Sequence, residues 1–384
     1  MDAKTEIAAP PPPAAHCRTV LVLQGGGALG SFQAGVFEAL EKEKVAPDWV
    51  AGISIGAVNA ALIAGNPPEK RGERLREFWE LVTSGFQVEP LIGHGEPRNW
   101  FNETSALWTT AFGAPGMFSV KLPFSYLFPS GEPEHLGFYD TTPLRETLER
   151  LVDFDRINAK NGVRLSVGAV EIETGNFVYF DNRRHKIGPE HIMASGALPP
   201  GFPPIKIGEK YYWDGGIVSN TPLDYVLSED QTDPLLVFQV DLFSSRGPLP
   251  KTMFDVTERE KDIRFSSRTR FNTDMHLRLH KTKTALRDLL DRLPPEFEKD
   301  PAAAVLEELW PERSLAIVQL INRRKEFHNS SSDYEFSRRT MLDHWASGVE
   351  SVQKSVKKSD WRAIIASRHE AASLDAERPP KAPQ

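Results

Sequence analysis

The sequence predicts a three-layer α/β/α fold on a parallel sheet, with a mainly helical C-terminal extension, and three observations carry that prediction. An apolar strand runs into a glycine loop and then a helix. A second strand turns directly into a helix of small residues. Later apolar strands recur between helical stretches.

Arg18 to Gln24 (RTVLVLQ) reads as a short buried strand, and Leu29 to Lys44 shows helical spacing through Phe32, Val36, Phe37 and Leu40. Asp48 to Ile53 is the second strand and Ile55 to Ala64 the helix that follows it. A charged helix is expected over Arg71 to Ser84. Gly85 to Tyr139 is rich in glycine, proline and aromatic residues without a strong period, so it reads as irregular, a lid or pocket wall or a poorly ordered stretch. Strands resume at Val163 to Glu171 and Phe177 to Asp181. A helix at Pro189 to Ala197, a proline-rich turn and strands at Lys210 to Trp213 and Pro234 to Phe243 follow. Beyond them the character changes to a long basic helix, Thr257 to Leu293, one strand, Ser314 to Asn322, and a last helix, Tyr334 to Lys358. The expected organisation is a loose tail over 1–17, a main domain over 18–246, the extension over 247–370 and a second loose tail over 371–384.

Composition narrows the function. With 384 residues, 40% hydrophobic and 26% charged, burial of a full α/β core presents no difficulty. A net charge of -7 removes any whole-protein attraction to nucleic acid, and no nucleic-acid partner is expected. The single Cys17 cannot form an internal disulfide, in keeping with a reducing compartment. Met1 to His16 do not resemble a secretory signal and no run is long and apolar enough to span a membrane, so the expectation is a cytoplasmic protein that meets lipid only peripherally.

Three motifs can carry chemistry. Gly25-Gly-Gly-Ala-Leu-Gly30 lies between strand and helix, where converging amides suit an anion: a pyrophosphate in a dinucleotide fold or the oxyanion of an acyl transfer. A plain tight turn accounts for it equally well. Gly52-Ile-Ser-Ile-Gly56 sits where a strand ends and a helix begins. A serine there is presented on an exposed elbow, and flanking glycines relieve the crowding of the turn. Asp48 precedes its strand and is badly placed for a ribose, which weighs against the dinucleotide reading. A serine also needs a base, and none of the ten histidines sits comfortably for that; the best acid is Asp214 in Trp213-Asp-Gly-Gly216.

In this order the three motifs resemble the patatin-like phospholipase family, as do Ala194 to Pro204 (ASGALPPGFPP) and Asn220 with Pro222 after Asp214-Gly215-Gly216. The resemblance covers about Arg18 to Val226. It implies a patatin-like α/β/α fold and a lipid acyl hydrolase working through a Ser-Asp dyad without histidine. Carried over residue by residue, Ser54 is the nucleophile, Asp214 the general base, and Gly25, Gly26 and Gly27 the oxyanion hole, with Gly30, Gly52, Gly56, Gly215 and Gly216 completing the motifs. Many members have Lys or Arg where this chain has Leu29, so a charge contribution to the loop is missing. The part beyond about Gly247 resembles an uncharacterised extension found behind some bacterial members.

The resemblance implies an acyl ester lipid as substrate, and the scheme requires no cofactor and no metal. Alternatives are another acyl ester, such as a storage polyester or a neutral lipid, and a non-catalytic lipid-binding module that keeps the fold. The basic helix offers two roles. Its apolar residues Ile263, Phe265, Phe271, Met275, Leu279, Leu286 and Leu289 can dock on the main domain, or its cations can hold an anionic membrane or granule surface.

Overall fold

The computed structural model describes residues 17–90, 95–121, 132–229, 233–292, 294, 300–301, 314–323, 331–358 and 371–375, without the side chains at 254, 267–272 and 371. The chain starts with β1 (Arg18–Leu23), α1 (Ser31–Lys42), β2 (Trp49–Gly52), α2 (Ile55–Ala64) and α3 (Pro68–Val82). Next come α4 (Gly95–Phe112), the small antiparallel pair β3 (Ser119–Val120) and β4 (Tyr139–Asp140), α5 (Thr142–Leu151) and α6 (Phe154–Ile157). The second half runs β5 (Arg164–Glu171), β6 (Phe177–Asp181), α7 (Pro189–Ser195), β7 (Ile205–Ile207), β8 (Lys210–Asp214), α8 (Leu223–Ser228) and β9 (Leu235–Asp241). Last are α9 (Met253–Leu290), β10 (Leu315–Ile321), α10 (Arg338–Lys358) and β11 (Ala371–Leu374).

Among the described residues, nine strands form the main sheet, in the order β11-β10-β9-β1-β2-β5-β8-β7 with β6 also on β5. The run from β11 to β5 is parallel, and β6 and β8 are antiparallel to β5. Successive side chains of a strand point to opposite faces, and the two hydrophobic cores follow that alternation. Leu21, Leu23, Val50, Phe238, Val240 and Val318 face α1, α2, α3 and α10. Val20, Val22, Trp49, Val237 and Ile317 face α8 and Leu277 of α9. Helices on both faces explain why the central strands read as continuous apolar runs.

The register of β5 brings the site together. Gly52 of β2 pairs with Val167, whereas Asp214 of β8 pairs with Ala169, two residues further on. Because β6 pairs with Ser166 to Val170 throughout, β2 and β8 share the opposite edge of β5. The end of β2 therefore meets the end of β8 head on.

Two expectations need correction. The irregular stretch contains α4, eighteen residues long. Its period is inverted: the buried face is Arg98, Asn102, Ser105, Ala106 and Thr109, while Trp100 (74% exposed), Leu107 and Phe112 point outward. Buried Arg98 holds that face to α10 through Asp343 at 3.0 Å and Thr340 at 2.7 Å. Ala371–Leu374, expected within a loose tail, pairs in parallel with β10 because that strand offers an open edge. The strand expected at Ser314 to Asn322 is β10, which with β11 extends the same sheet, and α10 packs along α1. The tail over 1–16 lies outside the described residues.

Candidate active site

Ser54 occupies the turn between β2 and α2 with φ 54° and ψ −124°, a backbone geometry that side chains other than glycine rarely adopt. The elbow is tight on both sides. A Cβ on Gly52 would lie 2.2 Å from the Gly56 carbonyl oxygen, and one on Gly56 would lie 2.4 Å from that of Leu23. The strained residue is held by Ser195 of α7, whose Oγ accepts the Ser54 amide at 3.0 Å and donates to the Gly168 carbonyl at 2.7 Å. Its hydroxyl lies at the N-terminal end of α2, whose dipole favours negative charge there.

Asp214 ends β8 and is 2% exposed. Its Oδ1 accepts the Gly216 amide at 2.7 Å, and the Ser54 hydroxyl lies close enough to the same carboxylate to lower its pKa. Burial raises its pKa to about 6, and the nearby Ser54 hydroxyl and the Gly216 amide oppose that rise without cancelling it. Among the described residues, no histidine lines the cavity into which Ser54 and Asp214 open. His276 of α9 meets Asp224 at 2.5 Å on the other face of the sheet.

The glycine loop differs in one respect from its expected role. The Gly25 amide donates to the Asn220 carbonyl at 3.1 Å, and the Asn220 side chain returns a bond to the Gly25 carbonyl at 2.9 Å. Gly25 is thus a clearance point and not an oxyanion donor. A Cβ there would lie 2.4 Å from Asn220 Oδ1 and 3.1 Å from Ser54 Cβ. The Gly26 and Gly27 amides line the cavity and have no acceptor among the described residues. Leu29, where a cation was missing, is buried in the main core.

Several residues that fix this loop carry no motif. The buried Gln24 side chain donates to Thr221 at 3.0 Å and to the Phe265 carbonyl at 3.1 Å, and accepts the Leu242 and Phe243 amides. Gln33 donates to the Gln24 carbonyl at 2.7 Å, and Asn59 links Gly30 to Gln33. From far along the chain, the Asp333 carbonyl accepts the Ala28 amide at 2.8 Å, and the Asp333 carboxylate is held by Lys261 at 2.8 Å. A buried glutamine just past a strand was the one signal available in the sequence; Asp333 had none.

The cavity measures about 530 Å³. Apart from Ser54, Asp214, Asn220 and Asp333 around the elbow, its walls are chiefly apolar, with Ile55, Val58 and Met193 on one side. Phe118, Tyr139, Phe202 and Phe336 form an aromatic cluster on another, with ring centroids 4.9 to 6.2 Å apart. The arrangement suits an aliphatic chain whose ester end lies at Ser54. Replacing Gly26 with Ala tests the loop, since the new Cβ would lie 2.8 Å from Leu242 Cδ1 and 3.1 Å from Phe243 Cε2 and tilt the amide. Turnover of an ester should fall about tenfold or more with KM little changed, because such donors act on the transition state. Steady-state kinetics check this, and an unchanged kcat would reduce the loop to a turn.

A family model described as patatin-like phospholipase matches residues 21–227, more than half of the chain. The chain belongs to that family. A second model, described as patatin phospholipase, matches residues 263–367, the region that supplies Phe265, Asp333 and Phe336 to the cavity of this patatin-like protein. Among curated proteins it is 24% identical to a lysophospholipase of Yarrowia lipolytica over 235 residues and 23% identical to one of Phaeosphaeria nodorum over 236 residues. Each match takes in 61% of this chain and 13% of the relative, so the chain spans a small part of their length. Solved structures similar to it include VipD from Legionella pneumophila, at 13% identity and TM-score 0.34 over 88% of this chain and 67% of that one. The ExoU–SpcU complex from Pseudomonas aeruginosa is similar at 15% identity and TM-score 0.27, over 68% of this chain and 52% of that one.

Proposed function

We propose that this patatin-like protein hydrolyses acyl esters of lipids through a Ser54–Asp214 dyad. The observation that carries the reading is a hydroxyl on a strained elbow beside a buried carboxylate, both lining one apolar cavity. Asp214 takes the Ser54 proton as Oγ bonds to the ester carbonyl carbon, and the Gly26 and Gly27 amides hold the resulting oxyanion. The tetrahedral intermediate collapses, the ester C–O bond breaks, and the proton on Asp214 passes to the leaving alcohol. Water then gives its proton to Asp214 and attacks the acyl-enzyme, and Ser54 departs with the proton. A base of pKa about 6 is ionised at neutral pH and still basic enough to accept a proton.

Contact with a lipid surface is assigned in this reading to α4, whose exposed Trp100, Leu107, Trp108 and Phe112 adjoin Thr109 and Thr110 at the cavity wall. On α9, Lys261 pairs with Asp333, Arg264 with Glu260 at 2.5 Å and Arg287 with Asp291 at 3.9 Å, whereas Arg278, Lys281 and Lys283 make no ion pair among the described residues. Arg268 and Arg270 lie outside the described side chains. No described helix is long and apolar enough to cross a membrane.

A fluorophosphonate probe should label Ser54 in the native protein. An acyl ester should be cleaved faster in neutral vesicles than as dispersed monomers, with little dependence on salt. Absence of labelling would leave a lipid-binding module. Cleavage that salt suppresses on anionic vesicles alone would return surface contact to α9.

A further inference from the structure

A second cavity, of about 300 Å³, opens at the carboxyl ends of β9, β10 and β11 and shares Phe243 as a wall with the first. In open parallel sheets this is the end at which ligands bind. Unlike the first cavity, it is lined largely by polar and charged side chains.

Its least satisfied member is Asp241, the last residue of β9, which is 6% exposed. Oδ2 accepts the Gln239 side chain at 2.7 Å, whereas Oδ1 has no hydrogen-bond partner. Burial raises the Asp241 pKa to about 7, and the nearby Asp375 carboxylate adds to the rise. A buried carboxyl group with an empty acceptor is costly to the folded state and is relieved by an incoming donor.

The cations around the cavity divide into two kinds. Arg323 is committed, gripping both oxygens of Asp375 at 2.7 Å. Arg246 and Lys281 also line the cavity, and neither side chain makes an ion pair among the described residues. The site therefore lacks a donor at Asp241 and presents two uncommitted, solvent-exposed cations beside it. A simple anion would leave Asp241 Oδ1 without a donor, and a simple amine would use neither Arg246 nor Lys281.

We propose that this cavity binds a small zwitterion, its ammonium group donating to Asp241 and its phosphate or carboxylate held by Arg246 and Lys281. Two sources share that chemistry, an amino-bearing phospholipid headgroup and a free amino acid. Nothing in the site depends on Ser54, so it stands whether or not the chain is a hydrolase.

The test is calorimetric titration of the full chain with phosphoethanolamine and glycine, with inorganic phosphate and ethanolamine as the half-ligands. One zwitterion should bind at one per chain and about tenfold or more tightly than either half-ligand, the difference that one charge-assisted hydrogen bond supplies. Preference for phosphoethanolamine identifies a headgroup, and preference for glycine an amino acid. Lys281→Ala, a change at an exposed position, should weaken binding about tenfold. Asp241→Asn should abolish the preference for amine-bearing ligands, and Ser54→Ala should leave every affinity unchanged. If Asp241→Asn does not fold, Lys281→Ala and Arg246→Gln decide the question. Zwitterions that bind no better than their halves, affinities indifferent to Lys281 and Arg246, or binding lost with Ser54→Ala would each overturn the proposal.

Discussion

Ser54→Ala should lose ester hydrolysis by on the order of 10⁴-fold or more while keeping the fold, because the nucleophile of a catalytic unit cannot be partly replaced. The change removes one oxygen from a residue fixed through its backbone amide by Ser195, so no large cavity results. The elbow adds a discriminating control. With φ 54° at Ser54, strain there costs about 1–3 kcal/mol, and glycine relieves it. Ser54→Gly should thus be as inactive as Ser54→Ala but more heat-stable than the native protein. Kinetics with thermal melting read both effects, and an active Ser54→Ala protein would remove Ser54 from the mechanism.

Asp214→Asn should cost about 10³- to 10⁴-fold in turnover, since an amide cannot take the serine proton. Native activity should fall on acidification with a midpoint near pH 6, where the carboxylate becomes protonated. The sign for stability is opposite to that of a salt-bridged aspartate. A folded-state pKa of about 6 against the ordinary 3.8 means that the folded state holds a proton the unfolded chain has released. Asp214 thus makes the protein less stable as pH rises from about 4 to 6, and Asp214→Asn should remove that decline. Melting temperatures across this range, beside a pH–rate profile, separate the roles. A profile flat through pH 6 would sink Asp214 as the base. Activity lost with His185, His191 or His276 changed to Ala, in folded protein, would replace the dyad by a triad.

How far these residues were legible depends on what the chain asks of them. Ser54 and Asp214 stand at strand ends beside glycines that the backbone demands, and such positions leave a local signature. The central strands were equally plain, being covered on both faces. By contrast α4 hid itself, because its buried face is built from Arg98, Asn102 and Ser105 and its exposed face from tryptophan and leucine, so hydrophobic periodicity misreports it. Gly25 and Asp333 show a second limit. Which amide of a glycine loop is free is decided by distant partners, here Asn220 and a carbonyl beyond β10, and no local pattern records them. The same holds for Ala371–Leu374, which is a strand only because β10 is beside it.

Ser54 and Asp214 are each referenced to β5 and not to one another, since Gly52 is pinned to Val167 and Asp214 to Ala169. The chain between α2 and β5, with α4 and the β3–β4 pair, can therefore lengthen, shorten or be exchanged without altering the spacing of Ser54 and Asp214. The lining of the cavity is free to drift in these segments while the Ser54–Asp214 pair stays in place. A one-residue insertion within β5 has no such freedom. It would slip one partner against the other by a single position and turn a carboxylate that now faces the hydroxyl to the far side of the sheet.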